Sequence, residues 1–206
     1  MLAWITGIGK FYSKPFLGLV SKDFGFGLPA WASIALYFSF TATLGVIKDF
    51  ATVLGEEIGW RGFLVPELAK RNSFTATALI SGVIWAIWHY PVLLFGSYHS
   101  PTPVWFYLPV LTANVIAISF LWAWMRLKSG SIWPCVVLHA AHNTFIQRFF
   151  EPLTVHDRST WYVTGEFGVG LTAVSILLAI YCWRRRGEVE TSSPEGDLLQ
   201  SHRVAV

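Results

Sequence analysis

Uncharged runs long enough to cross a bilayer recur along this chain, and they leave little choice of architecture. A hydrocarbon core ~30 Å thick is crossed by ~20 apolar residues of helix, and each backbone polar group inside it must be satisfied within the membrane-embedded structure. Residues 28–47, 104–125 and 167–183 are uncharged, and 74–95 is interrupted only by His89 and Pro91. Residues 132–146 form a shorter run that holds His139, His142 and Asn143. Between the first two runs, 50–69 is helical in pattern but carries Glu56, Glu57, Arg61 and Glu67. The expected fold is all-α: a polytopic transmembrane helical bundle of about six membrane-embedded helices, with a site buried among the second, third and fifth. Charged residues make up 13% of the chain, where soluble domains carry ~25%, so most of the surface is not built for water.

Charge then orients the helices. Lys70 with Arg71, Arg126 with Lys128, and Arg184 with Arg185 and Arg186 fall in alternate connections. Residues 96–103 hold no Lys or Arg, and 148–166 mixes Arg148 and Arg158 with Glu151, Asp157 and Glu166. Six alternating crossings put every basic cluster, together with Lys10, Lys14 and Lys22, on one side, which the positive-inside rule makes cytoplasmic. The chain divides into an N-terminal interfacial segment (1–27) without a signal-peptide layout, a membrane domain (28–186) and a polar, disordered tail (187–206) with a cytoplasmic C-terminus. A net charge of +3, with basic residues scattered along the chain, does not suggest nucleic acid, and none is expected as a partner. Cys135 and Cys182 lie in apolar stretches with no second cysteine nearby, so neither a disulfide framework nor a zinc knuckle is read.

Three polar clusters interrupt the apolar background. The first is Gly55-Glu56-Glu57-Ile58-Gly59-Trp60-Arg61. A charged residue at a helix centre costs ~2.5–3.5 kcal/mol on insertion scales, so three together belong in the protein interior or a wet cavity. Glu57 and Arg61, four apart, can pair along one face, which leaves Glu56 about 100° round the helix for other work. Gly55 and Gly59 have the spacing that admits a close neighbouring helix. The second cluster is Trp85…His89-Tyr90-Pro91, where the proline frees the Ile87 carbonyl and can kink the helix just past the imidazole. The third is His139-Ala140-Ala141-His142-Asn143, with His139 and Asn143 on one face and His142 beside both. Taken singly, these also admit readings as an amphipathic interfacial helix, a structural histidine and polar glue between helices. Depth unites them. Counted from the basic connections at 1.5 Å per residue, Glu56 lies about 21 Å in, His89 about 27 Å, His139 about 14 Å and Asn143 about 20 Å. Four costly residues on three helices at compatible depths are one site.

In this order the clusters resemble the signature of the CPBP family, which comprises type II CAAX prenyl proteases and bacteriocin-processing or immunity proteins and is also called Abi. The family pattern is Glu-Glu-x-x-x-Arg, then Phe-x-x-x-His, then His-x-x-x-Asn; here the matching residues are Glu56-Glu57…Arg61, Trp85…His89 and His139…Asn143. Trp85 stands where the family has Phe. The resemblance covers about residues 50–150, and the chain is short for the family, so an N-terminal span is expected to be absent or partly formed by 1–22.

The resemblance implies an intramembrane endopeptidase of a prokaryotic plasma membrane. In that reading Glu56 is the general base for water, helped by His89; His139 and Asn143 stabilise the oxyanion; Glu57 and Arg61 hold the site together. The implied partners are membrane lipids and a peptide or protein substrate, prenylated in the CAAX case or a leader peptide in the other. No cofactor is expected. The alternative is a zinc-dependent version of the same hydrolysis on Glu56, His89 and His139, although no His-Glu-x-x-His helix is present. A non-enzymatic immunity or transport protein is the other class; the lack of internal repeats or paired broken helices counts against transport.

Overall fold

The structure is a computed structural model and describes residues 2–11, 13–24 and 27–190. A helix α1 (Lys14–Phe24) leads into α2, which runs unbroken from Ala30 to Ala69 through two π-helical segments, Thr41–Gly45 and Ile58–Leu64. Helices α3 (Phe74–Phe95) and α4 (Val104–Ser129) follow. Helix α5 (Trp133–Ala141) passes directly into a third π-segment, His142–Phe150. Helix α6 (Val169–Arg184) and a last turn, α7 (Gly187–Glu190), complete the described chain.

The continuity of α2 corrects the expected count, because the runs 28–47 and 50–69 are one helix and not two. Nothing between them breaks a helix: Gly45 keeps right-handed helical dihedrals (φ −61°, ψ −47°). Nor does the Asp49 carboxylate need to surface. Asp49 is buried and accepts hydrogen bonds from Thr144 Oγ1 (2.7 Å) and Arg148 Nη2 (2.6 Å). Forty residues of helix reach about 60 Å at 1.5 Å per residue, twice the hydrocarbon thickness. Among the described residues three helices, α2, α3 and α4, are long and apolar enough to cross a membrane. Together with α5 and α6 they make the chain an integral membrane helical bundle.

The other boundaries follow local rules. Ser73 caps α3 by accepting from the Ala76 N–H (3.3 Å). Helix α4 ends at Gly130 in the left-handed region (φ 68°), where glycine has no Cβ penalty, and Pro134 sits in the first turn of α5. Helices α3 and α4 approach closely at Gly82, where a Cβ would meet the Ile116 Cα at 3.0 Å. Gly55 and Gly59 were expected to admit a neighbouring helix, but they have no atom within 4 Å of such a Cβ; the close approach belongs to Gly82. On the other side of α4, Ser175 of α6 donates to Asn114 Oδ1 (2.6 Å).

The bundle has two chemically distinct ends. At the basic end, Lys128 meets Glu188 (2.5 Å), Lys70 meets Glu67, and Glu190 of α7 accepts from the Phe74 N–H (3.2 Å). Residues 187–190, expected to open the disordered tail, are thus a helical turn held to α3 and α4; residues 191–206 lie outside the described residues. At the far end a two-stranded antiparallel ladder joins β1 (Lys10–Phe11) to β2 (Thr154–Val155). Trp4 Nε1 donates to Thr154 Oγ1 (3.0 Å), and Phe16 and Val20 pack with Phe149 and Leu153. Lys10 therefore lies at the opposite end from Lys70, Lys128 and Arg185. That follows from α2 being one helix, and three basic connections, not four, share a side.

Candidate active site

Glu57 is the centre of the polar cluster. It ends the α-helical stretch Val46–Glu57 of α2, while Arg61 lies in the π-segment that follows, and both are buried. Arg61 Nη1 donates to Glu57 Oε1 at 2.8 Å, and His139 Nδ1 reaches the same oxygen at 2.8 Å. The guanidinium carbon lies 4.3 Å from the Trp85 ring centre and 5.0 Å from that of Trp122. The His139 ring meets the same two indoles edge-on at 5.6 and 5.9 Å. Trp85 and Trp122 thus form an aromatic slot holding a cation and an imidazole, and cation–π attraction strengthens once both partners leave water. Arg126 Nε fixes the backbone of the π-segment by donating to the Arg61 carbonyl (2.7 Å). Glu57 Oε2 is buried with no partner among the described residues, a position that calls for water or a substrate group.

The two histidines are oriented by their acceptors. His89 Nδ1 is 2.7 Å from the Trp85 carbonyl. A carbonyl can only accept, so Nδ1 carries the proton and the neutral ring presents a lone pair at Nε2. Glu57 fixes Nδ1–H of His139 in the same way, so His139 donates a second hydrogen bond from Nε2 only as imidazolium. Glu56 is half-buried, makes no hydrogen bond among the described residues, and lies close enough to Arg61 and His89 to feel both electrostatically. Asn143 is half-buried at the start of the third π-segment and likewise has no hydrogen bond among those residues. Glu57, Arg61 and His139 are therefore in direct contact, His89 joins them through Trp85, and Glu56 and Asn143 flank the cluster with free polar groups.

Comparison with known proteins bears on the same segment. Residues 31–145 match the family described as type II CAAX prenyl endopeptidase Rce1-like. The chain belongs to this family. It is also similar to the CAAX prenyl protease 2 of Methanococcus maripaludis, 27% identical over 133 residues that cover 56% of this chain and 47% of the relative. The chain spans about half the length of that curated relative. No solved structure gives a significant match. The matched Rce1-like segment contains all three motifs and agrees with the family resemblance read from them.

Several neighbours of the Rce1-like motifs carry no signal in their spacing. Trp122 is one of eleven tryptophans and sits in an uncharged run. Cys135 is tied to it twice, its carbonyl accepting from Trp122 Nε1 (3.3 Å) and its thiol donating to the Trp122 carbonyl (3.5 Å). Asp49 had a visible signal, a lone carboxylate beside an apolar run, which membrane energetics marks as functional or paired. Among the described residues, no three His, Cys, Asp or Glu side chains converge as a metal-binding set. A cavity of about 670 Å³ opens at the far end beside Lys14, Gln147, Glu151 and His156; it does not touch the Glu57 cluster, and its lining carries none of the three motifs.

Proposed function

We propose that this Rce1-like chain is an intramembrane endopeptidase that cleaves a prenylated, CAAX-type C-terminal peptide, with Glu56 as the base that activates water. One observation carries the reading. Glu57 is tied through Oε1 to Arg61 and His139, whereas its neighbour Glu56 has no hydrogen bond among the described residues and stands within electrostatic reach of Arg61 and His89. Of the two adjacent carboxylates, one builds the site and the other is free to work. Glu56 takes a proton from water, with His89 Nε2 as a second acceptor, and the hydroxide adds to the peptide carbonyl carbon. The oxyanion is met by Asn143 Nδ2–H and His139 Nε2–H. The C–N bond then breaks as the proton passes from Glu56 to the leaving amine. Donors aimed at developing charge in a site poor in water contribute several kcal/mol. The name of the archaeal relative supports the CAAX substrate over a leader peptide.

Glu56→Gln keeps the shape and cannot take the proton. In purified protein it is expected to abolish cleavage of a farnesylated CAAX-type reporter peptide while still binding it, with well under one metal ion per active parent chain. Stoichiometric zinc whose removal and return track activity would overturn the glutamate mechanism in favour of the metal-dependent one.

The proposed orientation places the basic end in the cytoplasm of a prokaryotic cell, with the Lys10–Phe11 strand at the opposite membrane interface. A cysteine at Lys128 should be labelled only from the cytoplasm, and cysteines at His99 and Lys10 only from outside. Labelling of Lys10 and Lys128 from the same face would sink that arrangement.

A further inference from the structure

Asn143 stands between two residues that are each tied to a different buried carboxyl group. On one side, His142 Nε2 and Gln147 Nε2 both lie 2.5 Å from Glu166 Oε1, and Tyr98 donates its hydroxyl to Glu166 Oε2. On the other, Thr144 and Arg148 donate to the two oxygens of Asp49. Asp49, Thr144 and Glu166 are all buried. The holders come from separate parts of the fold: Asp49 from α2, Tyr98 from the connection between α3 and α4, and Glu166 from the segment before α6.

The spacing explains the unusual winding. Thr144 and Arg148 are four apart and share a face in an ordinary α-helix. His142 and Gln147 are five apart, and at 3.6 residues per turn they would point about 140° away from each other. A π-helix, bonded from i to i+5, stacks residues five apart on one side, and His142–Phe150 is π-wound. One oxygen of Glu166 holds both side chains only while that winding lasts. Relaxation to α geometry would move residues along the segment by up to one helical position, about 1.5 Å and 100°, with His139 still pinned to Glu57.

We infer that Glu166 is a positioning residue for the reaction: by bridging His142 and Gln147 it keeps the segment π-wound, with Asp49 holding the opposite face, and so fixes the bearing of Asn143 relative to His139. This rests on the reading of Asn143 as an oxyanion donor. Burial pushes the Glu166 carboxyl up to about 8, so at neutral pH it works as a neutral hydrogen-bonding group. Glutamine, which keeps a carbonyl acceptor in the same place, should therefore replace it.

The test uses the full chain in lipid nanodiscs, the farnesylated CAAX-type reporter peptide, and hydrogen exchange of the 142–150 amides. Glu166→Ala should lower kcat by ~10²-fold, the scale of a ~1 Å misplacement, with KM nearly unchanged as for a group used in the transition state. Exchange across 142–150 should rise at the same time. Glu166→Gln should restore both. If the alanine variant does not fold, Gln147→Ala removes one of the two bridged partners and should give the same pattern at smaller amplitude. Parent-like exchange and kcat in Glu166→Ala or Gln147→Ala, alongside a loss in Asn143→Ala, would overturn the positioning role; so would a change in KM alone. If Asn143→Ala itself leaves kcat intact, it is the oxyanion reading that fails, and exchange in Glu166→Ala still decides whether Glu166 holds the winding.

Discussion

Glu57 and Glu166 each hold a histidine on one carboxyl oxygen, at 2.8 and 2.5 Å, yet their surroundings differ in kind. Glu57 shares that oxygen with a guanidinium enclosed by two indoles. Glu166 has a phenol and a carboxamide as its other partners. A carboxylate away from water keeps its charge only beside a fixed opposite charge; without one, burial makes it hold its proton. The first arrangement builds an electrostatic site, in which opposite charges are held together inside the bundle. The second builds a neutral brace, which orders a helix without placing a field across it.

The contrast is sharpest on removing one partner from each. Arg61→Ala leaves the Glu57 carboxylate buried beside a histidine alone, and breaking such pairs costs ~3–5 kcal/mol. Tyr98→Phe takes from Glu166 one hydrogen bond among neutral groups, worth ~0.5–1.5 kcal/mol. Thermal unfolding in one detergent should show the first loss as clearly larger. Equal losses would mean that Glu166 is ionised or that Arg61 contributes nothing to the fold, and the comparison would break.

The two sites also differ in how visible they are in the sequence. Glu57 and Arg61 sit four apart in an otherwise apolar stretch, and His139 and Asn143 repeat that spacing, so intrahelical geometry and the expense of charge in a membrane pick them out. The helical bundle is legible for the same reason, from the lengths of its uncharged runs. The brace is not. Its members come from positions 98, 142, 147 and 166, and Glu166 reads as one of several charges in a water-facing connection. The split of α2 into two helices fails for a related reason. Lys48-Asp49 resembles a surface break as long as Arg148, ninety-nine residues away, is unknown as the partner of Asp49. Spacing along a helix shows pairs within one turn or two; it is blind to charges neutralised by a distant segment and to a helix wound with an extra residue per turn.

The smallest effect, and the most direct on the protonation contrast, is a pH dependence of stability. Glu166 titrates near 4.5 in the unfolded chain, and burial pushes it up to about 8 in the fold. Below 4.5 the carboxyl is protonated in both states and its contribution is fully present. Between 4.5 and 8 the unfolded chain releases the proton while the folded chain keeps it, so stability falls as pH rises; above 8 the loss levels off. Glu151, also raised by burial, to about 7, adds a loss of the same sign. His156, lowered by burial, acts in the opposite sense below the ordinary histidine range, and Glu151 titrates up to about 7, so the clean window is pH 7–8. There a single group contributes at most about 1.4 kcal/mol per pH unit, or ~3–5 °C in the thermal midpoint of a chain this size. Glu166→Gln has no proton to hold, so its midpoint should fall less steeply than the parent's over that window while its activity stays close to normal. Identical slopes in parent and variant would show that Glu166 ionises in the fold as freely as in the unfolded chain, and the brace would then be a charged site like the one at Glu57.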